Sequence, residues 1–218
     1  MNNLGYKTET QSPYELDLFL DFLVEKKVRL YAEIGVYAGS TFFDVYKTLR
    51  DLWSSEPNRE KFTMIAVEMP SNQNAFAHLT SVVLPEIRKD PFCDLHFFVG
   101  NSTEPKIVEQ VSEAVHKFYS DVNHFDNKSI TESLVFIDGD HSYRQARDDY
   151  RAYESLFGFV AFNDISPRTV QKQLEKHGKD VATVYHLFDG LTLERPLDTY
   201  VEFEDTNALN PRGIGILL

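Results

Sequence analysis

The chain is poor in the residues that several protein classes need. Cys93 is its only cysteine in 218 residues, which excludes an intramolecular disulfide and argues against a thiolate metal site. No stretch approaches the roughly 20 apolar residues that cross a bilayer. The opening Met1-Asn2-Asn3-Leu4-Gly5 has neither the charged nor the apolar region of a secretory leader. These absences give the expectation of a cytoplasmic protein. Basic residues are also scarce: 22 Lys and Arg face 34 Asp and Glu, a net charge of -12. A surface of that sign repels phosphate backbones, so neither nucleic acid nor membrane is an expected partner. The length suits one domain with a full core, not two. We read 1–218 as a single unit, with a helical cap over 1–27 and a core over 28–218.

Hydrophobic spacing divides the chain into alternating strands and helices. Ser12-Pro13-Tyr14-Glu15 reads as a capping box with proline at the first helical position. Leu16, Phe19, Leu20 and Leu23 follow at helical spacing, and this leading helix is expected to cover the edge or mouth of the core. Strands are predicted over Val28 to Ile34, Phe62 to Val67, Leu95 to Val99, Leu134 to Ile137 and Phe159 to Phe162. Helices are predicted from Thr41, over Asn74 to Ile87, Pro105 to Tyr119 and Tyr143 to Phe157, and from Ser166-Pro167 to near Gly178. Gly158 is placed as a helix C-cap. Ser54 to Lys61 and Ser120 to Glu132 read as surface loops, and Asp148-Asp149 as a solvated helix face. In the tail, Val181 to Phe188, Tyr200 to Phe203 and Ile214 to Leu218 read as strands. Five strand–helix units imply an α/β protein with a parallel sheet covered on both faces, finished by an antiparallel edge.

Ligands of such sheets bind at the carboxyl ends of the strands, where strand order reverses. Five residue clusters fall at such ends. Glu33-Ile34-Gly35-Val36-Tyr37-Ala38-Gly39-Ser40-Thr41 has two glycines that permit a sharp turn and close backbone approach to a ligand. It lacks the G-x-G-x-x-G that a nicotinamide cofactor needs at its pyrophosphate, and suits a ligand with an amino-acid tail. Glu68, in Ala66-Val67-Glu68-Met69, can accept from both hydroxyls of a ribose. Gly100-Asn101-Ser102-Thr103 can read a base edge or cap the next helix. Ile137-Asp138-Gly139-Asp140-His141 places two acids and a histidine past the fourth strand, and Asn163-Asp164 an amide and an acid past the fifth. These two could converge on a divalent metal or on a reacting hydroxyl. The other histidines, His78, His96, His116, His124, His177 and His186, stand singly, without ligand spacing.

In this order the clusters resemble those of class I O-methyltransferases, in particular the catechol O-methyltransferase-like group and the methyltransferase family with an I-D-G-x-H segment. The resemblance runs from about Val28 to Phe162, with weaker support at Gly213-Ile214-Gly215. It implies a Rossmann-like, doubly wound, mostly parallel seven-stranded sheet with an antiparallel C-terminal edge. It also implies S-adenosyl-L-methionine as cofactor and a small-molecule acceptor, with a homodimer as an open option. Glu33, Gly35, Tyr37, Gly39, Ser40 and Thr41 match the turn that holds the methionine portion. Glu68 matches the ribose acid, Met69 the residue on adenine, and Asn101 and Ser102 the adenine loop. Asp138 matches an acid near the sulfonium or a metal.

Two positions depart from that pattern. Metal-dependent members carry Asp-Asn after the fifth strand, where this chain has Asn163-Asp164, and a lysine where it has His141. Asp138, Asn163 and Asp164 therefore form only a doubtful magnesium site, and His141 stands as a base that needs no metal. The expectation is O-methylation of a small hydroxylated acceptor with His141 as general base and Asp138, Asp140 and Asp164 orienting it or binding a cation. The leading helix and the segment from Asp189 to Asn210 are the expected lid. A nicotinamide-dependent oxidoreductase and a non-catalytic S-adenosylmethionine-binding module remain the alternatives.

Overall fold

The first strand, β1 (Leu30–Ile34), is buried along its whole length, and its side chains alternate between two cores. Leu30, Ala32 and Ile34 enter one and Tyr31 the other, as the two-residue period of a strand requires. A strand buried on both faces needs helices on both sides. The computed structural model describes residues 12–55, 60–121, 130–171, 182–208 and 211–218. Around β1 it arranges β2 (Phe62–Glu68), β3 (Cys93–Val99), β4 (Ser133–Ile137), β5 (Phe159–Asn163), β6 (Tyr200–Phe203) and β7 (Ile214–Leu217) in the order β3-β2-β1-β4-β5-β7-β6. The first five are parallel, and β7 is antiparallel to both β5 and β6. The sheet is the expected one: seven strands, a parallel centre and an antiparallel edge.

One face carries α1 (Pro13–Glu25) and α2 (Ser40–Ser55), the other α5 (Pro105–Asp121), α6 (Tyr143–Tyr153) and α7 (Val184–Thr192). The expected capping box is present: Glu15 N–H donates to Ser12 Oγ at 3.1 Å and Ser12 N–H to a Glu15 carboxylate oxygen at 3.2 Å. The helix it starts covers a sheet face, not an edge or mouth. Phe19 packs on Phe136 with ring centroids 5.0 Å apart, and Phe22 on Phe159 at 5.4 Å. Burying each ring stabilises the fold by about 1.5–3 kcal/mol. The helix predicted over Asn74 to Ile87 is interrupted. Between α3 (Gln73–His78) and α4 (Leu84–Ile87) lies a π-helical turn, Leu79–Val83. Pro85 has no N–H for the ladder, and a wide turn just before it absorbs that loss.

Three expectations about single elements fail. Val181 to Phe188 is not a strand: Val184–Thr192 is α7, with residue 181 outside the described residues. Thr183 caps it, and His186, three residues on, closes a reciprocal box through Nδ1. Val184, Leu187 and Phe188 are buried on one helical face, so tertiary packing overrides the β-preference of Val-Tyr-His-Leu-Phe. Gly158 caps no helix, because α6 ends at Tyr153. It is glycine because a β-carbon there would overlap the Ile130 carbonyl. Asp148 is a surface ion-pair residue beside Arg147, but Asp149 is 1% exposed. Residues 167–171 are helical, and the remainder of that predicted helix lies outside the described residues, as do 56–59 and 122–129 of the two loops and His124 and His177.

Candidate functional site

Strand order reverses between β1 and β4, and a cleft of about 860 Å³ opens there, at the carboxyl ends of the parallel strands. Residues 35–40 form its floor. Gly35, Tyr37 and Gly39 all have positive φ (88°, 53° and 86°), so the chain reverses within one short turn. Both glycines are required by neighbouring parts of the chain. A β-carbon on Gly35 would overlap Gly139 Cα and the Asp138 carbonyl oxygen, and one on Gly39 would lie 2.9 Å from Leu79 Cδ1 on the π turn. The Gly35 contact locks the turn after β1 onto the segment after β4, which the Asp138 N–H bond to Ile34 O (2.9 Å) continues. Tyr37 projects outward, its hydroxyl accepting from Asn72 Nδ2 at 3.0 Å.

Acids dominate the lining. Glu33 is buried, and Tyr31 Oη donates to its Oε2 at 2.6 Å. Burial pushes the Glu33 carboxyl well above the usual range, against the pull of the Tyr31 hydrogen bond. Glu68 accepts the Tyr37 N–H at 2.6 Å. Burial also raises its pKa, against the backbone N–H groups of Tyr37, Met69 and Val36. That second carboxylate therefore shapes the turn as well as facing the cleft. Ser40 and Thr41 line the same floor, and Met69, 55% exposed, forms one wall.

The segment after β4 meets the end of β5. Asn163 Nδ2 donates to Asp138 Oδ1 at 2.6 Å, and burial lifts the Asp138 pKa to about 6. His141 Nδ1 lies 2.9 Å from Asp164 Oδ2. The hydrogen bond that the imidazole donates to that carboxylate raises the histidine pKa. Asp164 reaches the imidazole from a left-handed backbone conformation, φ 64°, which aspartate tolerates better than most residues. Arg212 Nη1 stands 3.7 Å from the other Asp164 oxygen. Sequence reasoning missed Arg212. It reaches the site because buried Glu15 accepts the N–H groups of Asp205 (3.0 Å) and Gly213 (3.1 Å), tying Gly213 and its neighbour Arg212 to α1. Asp140 acts locally, its Oδ1 accepting the Ser142 N–H at 2.7 Å just before α6.

At the far end, Asn101 Oδ1 accepts from Thr103 N–H (3.1 Å) and Oγ1 (3.0 Å), so its side-chain carbonyl closes a turn. Ser102 Oγ donates to Asp149 Oδ1 at 2.5 Å, and Gln145 Nε2 reaches the same oxygen at 3.2 Å. Asp149 and Gln145 line the cleft, and neither was singled out from the sequence.

Of the predicted site residues all but Gly39 and Asp164 line this cleft, and Asp164 reaches it through His141. Among the described residues no three His, Cys, Asp or Glu side chains form a metal-holding group. Asn163 Nδ2 donates to Asp138 and Asp164 Oδ2 meets His141, while Asn163 Oδ1 and Asp164 Oδ1 are buried without a hydrogen-bond partner. Nor does the cleft lining include α1 or residues 189–208. Among the described residues that tail supplies Arg212 and no lid.

No protein-family model and no curated protein matches the chain. Solved structures do. The O-methyltransferase TomG from Streptomyces achromogenes, involved in tomaymycin synthesis and crystallised with S-adenosylmethionine, is 13% identical. The match has a TM-score of 0.61 and covers 96% of this chain and 81% of that one. A Bacillus cereus O-methyltransferase in complex with S-adenosylhomocysteine gives 0.60 at 11% identity, over 97% and 84%. Podospora anserina methyltransferase PaMTH1 with S-adenosylhomocysteine gives 0.55 at 11% identity, over 95% and 79%. The chain has the fold of the class I O-methyltransferases.

Proposed function

We propose that the protein is an S-adenosylmethionine-dependent methyltransferase acting on a hydroxyl of a small acceptor. The observation that carries this reading is the charge of the cleft. Five carboxyl side chains line it (Glu33, Glu68, Asp138, Asp140 and Asp149) against one guanidinium, Arg212. Such a lining repels a pyrophosphate and attracts a cation with hydroxyl and amine donors, which disfavours a nicotinamide dinucleotide. The methyltransferases of the same fold that hold this cofactor or its product support the same conclusion.

When bound, the cofactor supplies an electrophilic methyl on a sulfonium, which an acceptor oxygen displaces in line. The chain's own residues bind and orient. Glu33, Gly35, Ser40 and Thr41 line the end of the cleft that suits an amino-acid tail. The Glu68 carboxylate, anchored by the Tyr37 N–H, offers its remaining lone pairs to ribose hydroxyls, and Met69 gives a base an apolar face. Asp138 presents negative charge beside the sulfonium position. Asp164 takes the Nδ1 proton of His141 in a hydrogen bond, which leaves the Nε2 lone pair to accept the acceptor's hydroxyl proton. Holding two molecules in line contributes up to ~7–11 kcal/mol to such a transfer. Asn163 Oδ1 and Asp164 Oδ1, buried without hydrogen-bond partners, would be the oxygens to hold a divalent cation, and no step is routed through one.

The test is a panel of small hydroxylated acceptors incubated with S-adenosylmethionine, with release of S-adenosylhomocysteine as the readout. His141→Ala should lower turnover by ~10²–10⁴-fold, and EDTA should leave at least part of the activity. Complete loss with EDTA, restored by magnesium, together with a near-normal His141→Ala rate, would transfer the activating role to a metal.

A further inference from the structure

Asp149 is a residue without a structural explanation. Its side chain is almost wholly inside, 1% exposed, on the inner face of α6. Oδ1 is satisfied by Ser102 Oγ and Gln145 Nε2. Oδ2 is buried and has no hydrogen-bond partner. An unpaired buried oxygen costs free energy that a leucine at the same place would avoid. Meanwhile Ser102 is itself fixed, because Tyr153 Oη donates to its carbonyl. The direction of Oδ2 is defined by its neighbours. Asp149 lines the cleft together with Gly100, Asn101, Ser102 and Gln145. Gly139, which also lines the cleft, lies beside it: a β-carbon there would be 4.0 Å from Oδ2, in van der Waals contact.

A buried oxygen that can only accept, on a side chain that lines the cleft, calls for a flat ligand edge carrying an N–H donor. We propose that Asp149 is a specificity-determining residue whose Oδ2 accepts the exocyclic amine of the cofactor's adenine. The inference rests on the methyltransferase reading of the cleft. Under it Ser102 and Gln145 act as positioning residues: their two donors pin Oδ1 and leave Oδ2 as the single acceptor for the base. Burial lifts the Asp149 pKa to about 6, so the group is an ionised acceptor at neutral pH. The same arrangement rejects a purine with a keto oxygen at that position, since two acceptors would then face each other without a proton.

The geometry also dictates how to reverse the preference. Asp149→Asn keeps an Oδ1 for Ser102 and Gln145, which forces the new amide nitrogen into the Oδ2 position. A donor then stands where the acceptor was. The experiment is isothermal titration of the wild type and Asp149→Asn with S-adenosylhomocysteine and with S-inosylhomocysteine, its deaminated counterpart. The wild type should bind the adenine compound about tenfold to a hundredfold more tightly, the worth of one charge-assisted hydrogen bond. The variant should lose that preference or invert it. Equal binding of both compounds by the wild type, or unchanged preference in the variant, overturns the assignment while leaving the cofactor reading intact. Binding of neither compound by the wild type overturns the cofactor reading itself. If the variant does not fold, the purine-riboside analogue decides on the wild type alone, since hydrogen replaces the amine without a clash. A tenfold loss supports the assignment, and unchanged affinity overturns it.

Discussion

Replacing Asp149 by asparagine should stabilise the ligand-free protein, and by an amount that depends on pH. A carboxyl whose pKa moves from 3.8 to about 6 on folding costs the fold roughly 3 kcal/mol once it is ionised in both states, at about 1.36 kcal/mol per pKa unit. The folded state holds the extra proton between those values, so wild-type stability falls as pH rises through about 4 to 6 and is flat above. At pH 7.5 the whole cost is present, and at pH 4.5 only about 1 kcal/mol of it remains. Asparagine has the same shape and never ionises. Its buried N–H adds a pH-independent term of about 1–3 kcal/mol at most, which cancels when two pH values are compared. Urea unfolding of both proteins, followed by circular dichroism at pH 7.5 and 4.5, should show the variant's relative stability shrinking by about 2 kcal/mol between the two. A difference that does not change with pH would mean that Asp149 ionises as it would in water, and the picture of a buried, half-satisfied acid would be wrong.

Two further outcomes follow from the turn and from the histidine pair. Gly35→Ala forces a β-carbon into Gly139 and the Asp138 carbonyl at φ 88°. It should cost about 3 kcal/mol or more and weaken ligand binding. A melting temperature and affinity equal to wild type would show that the two segments are not locked together. Asp164→Asn removes the carboxylate that raises the His141 pKa, so the ascending limb of the pH–rate profile should move to lower pH while the plateau rate falls. An unmoved limb would show that His141 is not the titrating base.

The sheet was legible because five strands alternate with amphipathic helices, and the acids at their ends announced a cleft. Glu33, Glu68, Asp138 and His141 could be found because each lies at or just past the end of a buried apolar run. Asp149 could not. Next to Asp148 on a helix of mostly polar residues it looks solvated, and only the crossing of α6 over the loop after β3 buries it. Arg212 was hidden for a similar reason, since a contact from Glu15 nearly two hundred residues away brings it to Asp164. Helix α7 was misread because Val184, Tyr185, Leu187 and Phe188 favour strands, and the Thr183–His186 cap uses an imidazole where glutamate is the usual signal. The glycines of the first turn were expected to admit a ligand. Sterically, they let Gly139 and the π turn come close, which depends on contacts remote in sequence.

The central claim is that this acidic cleft binds the sulfonium cofactor and its product, and titration calorimetry tests it directly. S-adenosylhomocysteine should bind the wild type and NAD should not. At a hundredfold excess over its dissociation constant the bound ligand should stabilise the fold by ~2.7 kcal/mol. Glu68→Ala should weaken that binding by roughly 1.5–3 kcal/mol, the range for charge-assisted hydrogen bonds. Binding of NAD without binding of S-adenosylhomocysteine would contradict the account, and wild-type affinity in Glu68→Ala would remove the ribose from that end of the cleft.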